Sequence, residues 1–357
     1  MEKQEPERYK DRIICGNCLD ILPTLPESSV DLVFSSPPYG DSRVVKDDPF
    51  PVYRDQEWVD WMVEVYRACL RVCRGLVAFV VHSKTQNYRW TALPSLLEAD
   101  LHRAGFNVRN PPIYSRIGVP GSGGPDWLRA DYERIVCVTH PGRLPWSDNT
   151  ACGHDPRWPV GGKMSHRTKD GMRVSSRITK PRGKDGKLLR QVYKSPEKCN
   201  PGNIIHCNVG GGVMGSRLCH VNEAPFAESL AEFFIKSFCP PEYCHDCGYI
   251  LGTENGYYNL SNMQKRQSNI KSRSNDRIST QSTPQREKEC PRCRSLNVYS
   301  GIVLDPFSGS GTTAAMAKKL GRHYIAIDIR QSQVDLTNRR LAEVTLDVDQ
   351  KSDIMDE

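Results

Sequence analysis

Ile302-Val303-Leu304-Asp305-Pro306-Phe307-Ser308-Gly309-Ser310-Gly311-Thr312-Thr313 reads as a strand, a turn and the start of a helix. The apolar run ends in an acid, a glycine turn follows, and Ala314 to Leu320 continues as the helix. Glycines at such a turn let the backbone come close to a ligand, and the free amides of the helix start suit a carboxylate or another anion. Tyr324 to Asp328 is a second strand that ends in an acid, about twenty residues past the turn, the spacing of an acceptor for ribose hydroxyls of a nucleoside. A lone Gly-x-Gly says little, but strands on both sides make the pattern specific.

The matching stretch at the other end of the chain is Asp31-Leu32-Val33-Phe34-Ser35-Ser36-Pro37-Pro38-Tyr39-Gly40. Leu32 to Phe34 reads as a short buried strand, and the two prolines stop it and hold the next residues in one rigid, extended shape. Pro37 leaves the carbonyl of Ser36 free. A serine hydroxyl, stiff carbonyls and an aromatic ring at the end of a strand are what a flat heterocycle with an exocyclic amine needs. An ordinary Pro-Pro loop is the plain alternative.

The chain has 357 residues, enough for one large domain or two or three modules. A hydrophobic content of 38% and a mean hydropathy of −0.56 describe a polar, soluble chain, with no apolar stretch long enough to span a bilayer. The charged start, Met1 to Lys10, is no secretory signal, so a reducing, cytoplasmic setting is expected. Charge is uneven. Pro141 to Arg217 holds fifteen Lys/Arg against five Asp/Glu, a balance of +10 beside +7 for the whole chain. Such a block is the electrostatic footprint of phosphate binding, or else a solvated loop.

Around these anchors the pattern alternates. Arg12 to Cys15 and Asp31 to Phe34 read as strands, Trp58 to Val72 as a helix with an apolar stripe, and Leu76 to Val81 as a buried strand. Ala92 to Ala104 is a helix ended by Gly105, and Asn107 to Ile117 and Tyr132 to Thr139 add two strands. This is the rhythm of an α/β sheet. The glycine run from Gly118 to Pro125 lacks the Gly-Lys-Ser/Thr ending of a nucleotide loop and reads as a mobile loop. Pro141 to Gly215, rich in Gly, Pro, Lys and Arg with Trp146, Trp158 and Tyr193 interleaved, should be irregular or a small β-rich module. Ala224 to Phe238 is a helix with Phe226, Leu230, Phe233 and Phe234 on its apolar face.

Fourteen cysteines in a reducing setting do not form a disulfide framework. Cys244-His245-Asp246-Cys247 and Cys290-Pro291-Arg292-Cys293, with 42 residues between them, supply four thiolates, enough to close a tetrahedral structural zinc site; unpaired thiols are the plain alternative. Cys239 and His245 are spare ligands, whereas Cys15 and Cys18 share the spacing but have no second pair nearby. Thr253 to Glu289 has too few hydrophobes to fold alone and reads as a flexible loop, either a linker or an arm that reaches nucleic acid.

Asp305 to Thr313 resembles the S-adenosylmethionine motif of DNA amino-methyltransferases, and Ser36 to Tyr39 resembles their catalytic Ser/Asp/Asn-Pro-Pro-Tyr/Phe motif. The catalytic motif comes first, with a basic module between the two, as in the circularly permuted β group. The resemblance covers about Arg12 to Thr139 and Val221 to Val344, including the helix before the cofactor loop. The basic middle and the cysteine-bearing insertion have no counterpart in it. It implies a doubly wound, Rossmann-like α/β methyltransferase sheet; the basic block and the paired cysteines add a basic DNA-recognition insertion and a small zinc-ribbon-like insertion to that fold class.

Residue by residue, the resemblance implies that Asp305, Phe307, Gly309 and Gly311 line the S-adenosylmethionine pocket, with Thr312 near the methionine carboxylate. Asp328 would hold the ribose hydroxyls and Asp20 would accept from the adenine amine. Ser36 and the Pro37 carbonyl would accept from the target amine, followed by Pro38 and by Tyr39 stacking on an extruded base. Carbon-5 cytosine chemistry needs a cysteine nucleophile, and no Pro-Cys motif is present, since Lys198 precedes Cys199. Serine at the head of the motif and the helix ending Glu232 to Lys236 resemble the cytosine-N4 group; adenine N6 is the alternative. A non-catalytic zinc-ribbon DNA-binding protein on a degenerate core, and a methyltransferase acting on RNA or on a protein amide, are rival functions.

The expected organisation is residues 1–140 for the catalytic half, 141–218 for basic target recognition and 219–238 for a helix of the methyltransferase domain. Residues 239–300 would be the zinc-ribbon-like insertion with its loop, 301–345 the cofactor half and 346–357 an acidic tail. Double-stranded DNA is the expected partner, with a companion restriction endonuclease and either a monomer or a homodimer left open.

Overall fold

Strands made of unbroken branched apolar residues have to be covered on both faces, and in this protein they form the middle of one large sheet. The computed structural model describes residues 9–40, 53–118, 124, 126, 128–156, 164–167, 170–176, 198–209, 225–251 and 289–344. In chain order the elements are β1 (Arg12–Cys15), α1 (Cys18–Ile21), β2 (Val30–Ser35), α2 (Asp55–Val72), β3 (Cys73–Val81), β4 (Thr85–Gln86), β5 (Arg89–Trp90) and α3 (Leu93–Arg103). Next come β6 (Asn107–Val108), β7 (Ile113–Ile117), β8 (Tyr132–Thr139), β9 (Met164–Arg167), β10 (Arg173–Ser176), β11 (Ile204–Asn208) and α4 (Glu228–Phe238). The chain continues with β12 (Glu242–Cys244), β13 (Val298–Ser300), β14 (Ile302–Asp305), α5 (Thr312–Lys319), β15 (His323–Asp328) and α6 (Gln331–Glu343).

The large sheet has the order β1-β15-β14-β2-β3-β8-β7-β11, with β6 also paired to β8. β1, β15, β14, β2 and β3 run parallel, β8 is antiparallel to its neighbours, and β11 is parallel to β7. The late strand β14 therefore lies beside the early strand β2, in register Val303↔Leu32 and Leu304↔Val33. Strand order runs outward from this pair in both directions, which makes it the topological switch point of the sheet.

Alternation along β2 divides the core. Val33 faces one layer with Trp58, Met62, Val65 and Tyr66 of α2, while Leu32 and Phe34 face the other with Leu230 and Phe234 of α4. Phe34 stacks on Phe234 at 4.5 Å and meets Phe226 edge-on at 5.3 Å, so α4 is seated directly under β2.

Two features depart from the expected elements. Asn107 to Ile117 is not one strand: Pro111 and Pro112 donate no ladder bonds, and the run divides into β6 and β7, both paired to β8. Ile204 to Asn208, inside the basic stretch, is the edge strand β11 of the large sheet. Residues 149–202 form a compact unit of their own, whose described parts include the antiparallel pair β9–β10 and the bridge His154↔Cys199. The glycine run 119–123, the 253–288 stretch and the 346–357 tail lie outside the described residues. No helix among the described residues is long and apolar enough to cross a membrane.

Candidate active site

β2 and β14 bring together the two stretches on which the sequence turns. The Ser35 hydroxyl at the end of β2 donates to Asp305 Oδ1 at the end of β14 at 2.5 Å, across 270 positions of chain. Thr313 Oγ1, in the first turn of α5, donates to the Phe34 carbonyl at 3.2 Å. The Ser36–Tyr39 loop and the glycine turn thus leave neighbouring strand ends at the switch point, where open α/β sheets bind ligands.

The Pro-Pro loop is held from below by α2. Trp58 Nε1 donates to the Pro38 carbonyl at 2.7 Å, and a Cβ on Gly40 would stand 2.7 Å from the Trp58 ring, so only glycine fits there. Ser36 Oγ donates to the Tyr39 hydroxyl at 3.2 Å, and Tyr39 donates to Glu133 Oε2 at 2.8 Å. Glu133, on β8, is itself paired with Arg116 of β7 at 2.9 Å. Burial, and then the Glu133 charge, push the Tyr39 phenol well above its ordinary value, so it stays protonated as a donor.

On the β14 side, Asp305 is buried, and its Oδ1 accepts from Ser35 and from the Phe307 amide at 3.2 Å. Burial raises its carboxyl from 3.8 to about 6. The Phe307 ring packs against Trp61 at 5.5 Å and Phe79 at 6.0 Å. Asp328 Oδ2 accepts from the Gly309 amide at 2.9 Å and Oδ1 from the Arg330 amide at 2.9 Å, which ties the end of β15 to the turn. Gly311 has φ +75°, and a Cβ there would lie 2.4 Å from Thr337 Cγ2; backbone and packing both demand glycine. Arg340 of α6, fully buried, donates to the Ser310 carbonyl at 3.1 Å and Thr312 Oγ1 at 2.9 Å, and pairs with Glu228 of α4 at 2.5 Å. Asp20 is exposed in α1, just past β1; the Gly16 amide of that turn donates to the Asp328 carbonyl at 2.9 Å, so Asp20 stands on the strand end next to Asp328.

The turn has the features that a nucleoside carrying an amino-acid tail requires. Ser308 Oγ is buried and meets no hydrogen-bond partner among the described residues. Gly309 and Gly311 leave the backbone open above it, and the free amides of the α5 start lie alongside. S-adenosylmethionine fits this donor set.

The four paired cysteines also converge. Cys244 and Cys293 sulfurs are 3.5 Å apart, Cys247 and Cys290 sulfurs 3.7 Å, and all four lie within 4.8 Å of one another. A tetrahedral zinc with bonds of about 2.3 Å sets its sulfurs about 3.8 Å apart, so the group fits the metal. Cys239 is buried against the sheet and takes no part in this cluster, nor does His245.

Ser35, Glu133, Arg116, Thr337 and Arg340 belong to the site without having been singled out by sequence. A glutamate inside the apolar strand Tyr132–Thr139 was the visible signal for Glu133. Arg340 gave little, because α6 has too few apolar residues to show a helical period.

Residues 259–339 match the N6/N4 methyltransferase family model described as DNA methylase. The matched segment contains the glycine turn and both acids, Asp305 and Asp328. Over 43 residues, 12% of this chain and 12% of the relative, the chain is 54% identical to the type II methyltransferase M.HinfI of Haemophilus influenzae. It is 21% identical to the type II methyltransferase M.BglII of Bacillus subtilis over 338 residues, 94% of this chain and 70% of that one. To the DNA adenine methyltransferase YhdJ of Escherichia coli strain K12 it is 31% identical over 86 residues, 23% of this chain and 29% of that one. These matches span from about an eighth to 70% of the relatives' own lengths. Among solved structures, the cytosine-N4-specific PvuII DNA methyltransferase shares the fold, with a TM-score of 0.51 at 14% identity over 92% of this chain and 85% of that one.

Proposed function

We propose that this chain is a site-specific DNA methyltransferase of the permuted β type, which moves a methyl group from S-adenosylmethionine to the exocyclic N4 of a cytosine flipped out of the duplex. The observation that carries the reading is the Ser35–Asp305 bond, because it joins a rigid Pro-Pro-Tyr loop and a nucleoside-type glycine turn at one switch point. Asp305, Phe307, Gly309, Gly311 and Thr312 would line the cofactor pocket, with Asp328 at the ribose and Asp20 at the adenine. When bound, the cofactor supplies an electrophilic sulfonium methyl.

An exocyclic base amine is a poor nucleophile, since its lone pair is delocalised into the ring. Ser36 Oγ and the Pro37 carbonyl, placed at its two hydrogens, favour a pyramidal nitrogen and stabilise the positive charge that builds there. The loop cannot sag away from the amine, because Trp58 anchors the Pro38 carbonyl. Tyr39 would turn its ring to the extruded base. The basic stretch would follow the phosphates of double-stranded DNA.

The type II relatives support a restriction-modification setting with a companion endonuclease, and with it a cytoplasmic enzyme. The likeness to a DNA adenine methyltransferase over 86 residues favours adenine N6 as the second reading; Ser36 at the head of the motif favours cytosine. We also assign a structural zinc to Cys244, Cys247, Cys290 and Cys293.

The test is methylation of plasmid free of adenine methylation, followed by mass spectrometry of its nucleosides. N4-methylcytosine is expected. N6-methyladenine alone would reverse the base assignment, and no methylated nucleoside together with no calorimetric binding of S-adenosylmethionine would overturn the enzyme.

A further inference from the structure

The four thiols stand at the opposite end of the sheet from the candidate active site. β13 passes through Gly301 directly into Ile302, the first residue of β14, and β12 pairs with β13 in register Tyr243↔Tyr299 and Cys244↔Val298. A Cβ on Gly301 would fall 2.4 Å from the Pro240 carbonyl, so the two chains of this ribbon are drawn together at its neck. Among the described residues the ribbon's buried apolar cluster is Tyr243 and Ile250, with Trp146 packed against them. So small a cluster does not hold a module without a staple, and a metal bound by four thiolates is one.

Besides the chain itself, a side chain of the ribbon reaches the base of the seam between β2 and β14. The Tyr243 hydroxyl, buried, accepts from Arg74 Nη2 at 3.3 Å. Arg74 grips Asp31 with two bonds, Nε to Oδ1 at 2.6 Å and Nη2 to Oδ2 at 2.9 Å, and Asp31 Oδ2 accepts from the Ile302 amide at 3.0 Å. Asp31 is the second residue of β2, and Ile302 opens β14. The seam itself is short, with two paired positions, and it joins chain segments some 270 residues apart. Such a contact carries a large closure entropy and needs fastening at both ends. Ser35–Asp305 fastens the top, and Asp31–Ile302 fastens the base.

Resting on the zinc assignment above, we propose that the metal-held ribbon is a clasp on the base of this seam. Zinc fixes Cys244 and the β12–β13 ribbon, Tyr243 fixes the Arg74–Asp31 pair, and Asp31 sets where β14 begins against β2. The Ser36 loop and the glycine turn, at the far ends of the same two strands, are then in register only in the metal-loaded chain.

The full-length chain purified from zinc-containing medium should carry one zinc per chain by elemental analysis. Amide hydrogen exchange is then compared in the loaded chain, after chelation under reducing conditions, and in Tyr243→Phe, which keeps all four thiols. Removing zinc should speed exchange at Ile302, Val303 and Leu304 and weaken S-adenosylmethionine binding about tenfold. Tyr243→Phe should retain zinc, speed exchange at Ile302, and lower the melting temperature by roughly 3 °C. Absence of zinc from the loaded preparation would overturn the metal and the clasp together. Stoichiometric zinc, with seam exchange unchanged by chelation and by Tyr243→Phe, would overturn the clasp alone, whatever the methylation assay returns.

Discussion

Asp305 is a carboxyl held by a hydroxyl and an amide, and burial dominates its titration. Its value rises from 3.8 to about 6, so between those limits the folded chain binds a proton that the unfolded chain has released. Its contribution to stability is therefore complete below about pH 4 and is lost as pH climbs through about 6, a change of about 3 kcal/mol. Asp305→Asn keeps an acceptor for Ser35 and cannot ionise. It is expected to remove the downward slope of stability between about pH 4 and 6, and melting curves across that range check it; a slope identical to that of the natural chain refutes the assignment. At this scale the residue types were legible, since an acid ending an apolar strand before a glycine turn is visible in sequence. Its partner Ser35 was not, because a serine at a strand end gives no sign of what lies across the sheet.

Among the elements, α2 supports both loops at once. Its first turns present Trp58 to the Pro38 carbonyl and Trp61 to Phe307, so one buried face carries the Pro-Pro loop on one side and the glycine turn on the other. The helical spacing of Trp58, Trp61, Met62, Val65 and Tyr66 was plain in the sequence and reads correctly as packing. The use of one indole nitrogen was hidden, since periodicity reports which face is apolar and nothing of the bonds at its rim. Trp58→Phe retains most of the packing and loses that bond. A fall of kcat by about tenfold is expected, with calorimetric affinity for S-adenosylmethionine unchanged within about twofold; equal losses in both would place Trp58 in cofactor binding instead. α6 shows the reverse case. Its apolar stripe is too thin to announce a helix, yet Arg340 reaches from it to Ser310, Thr312 and Glu228.

For the whole molecule the main long-range term is charge. Fifteen cations against five acids between Pro141 and Arg217 give a block of +10 on a chain of +7, so binding to DNA should release counter-ions and weaken steeply with salt. Titration of a fluorescent duplex between about 50 and 200 mM salt should show a loss of about a thousandfold. Replacing Lys180, Arg182, Lys184 and Lys187 by glutamine should flatten the log–log slope by roughly one for each phosphate no longer neutralised, while S-adenosylmethionine affinity stays the same. A slope unaffected by these four changes would move the phosphate-binding surface elsewhere.

Sequence by itself determined the parts: which runs are buried strands, where prolines and glycines stop them, and which four thiols have ligand spacing. These follow from local chemistry, in that a missing amide, an absent Cβ or a period of apolar residues acts within a few positions. The tertiary structure alone decided that β14 lies beside β2, that Glu133 and Arg340 belong to the two loops, and that the thiols sit at the base of the same seam. Those are contacts between segments up to 279 positions apart, fixed by burial of both sheet faces at once, and no local pattern encodes a partner that far away.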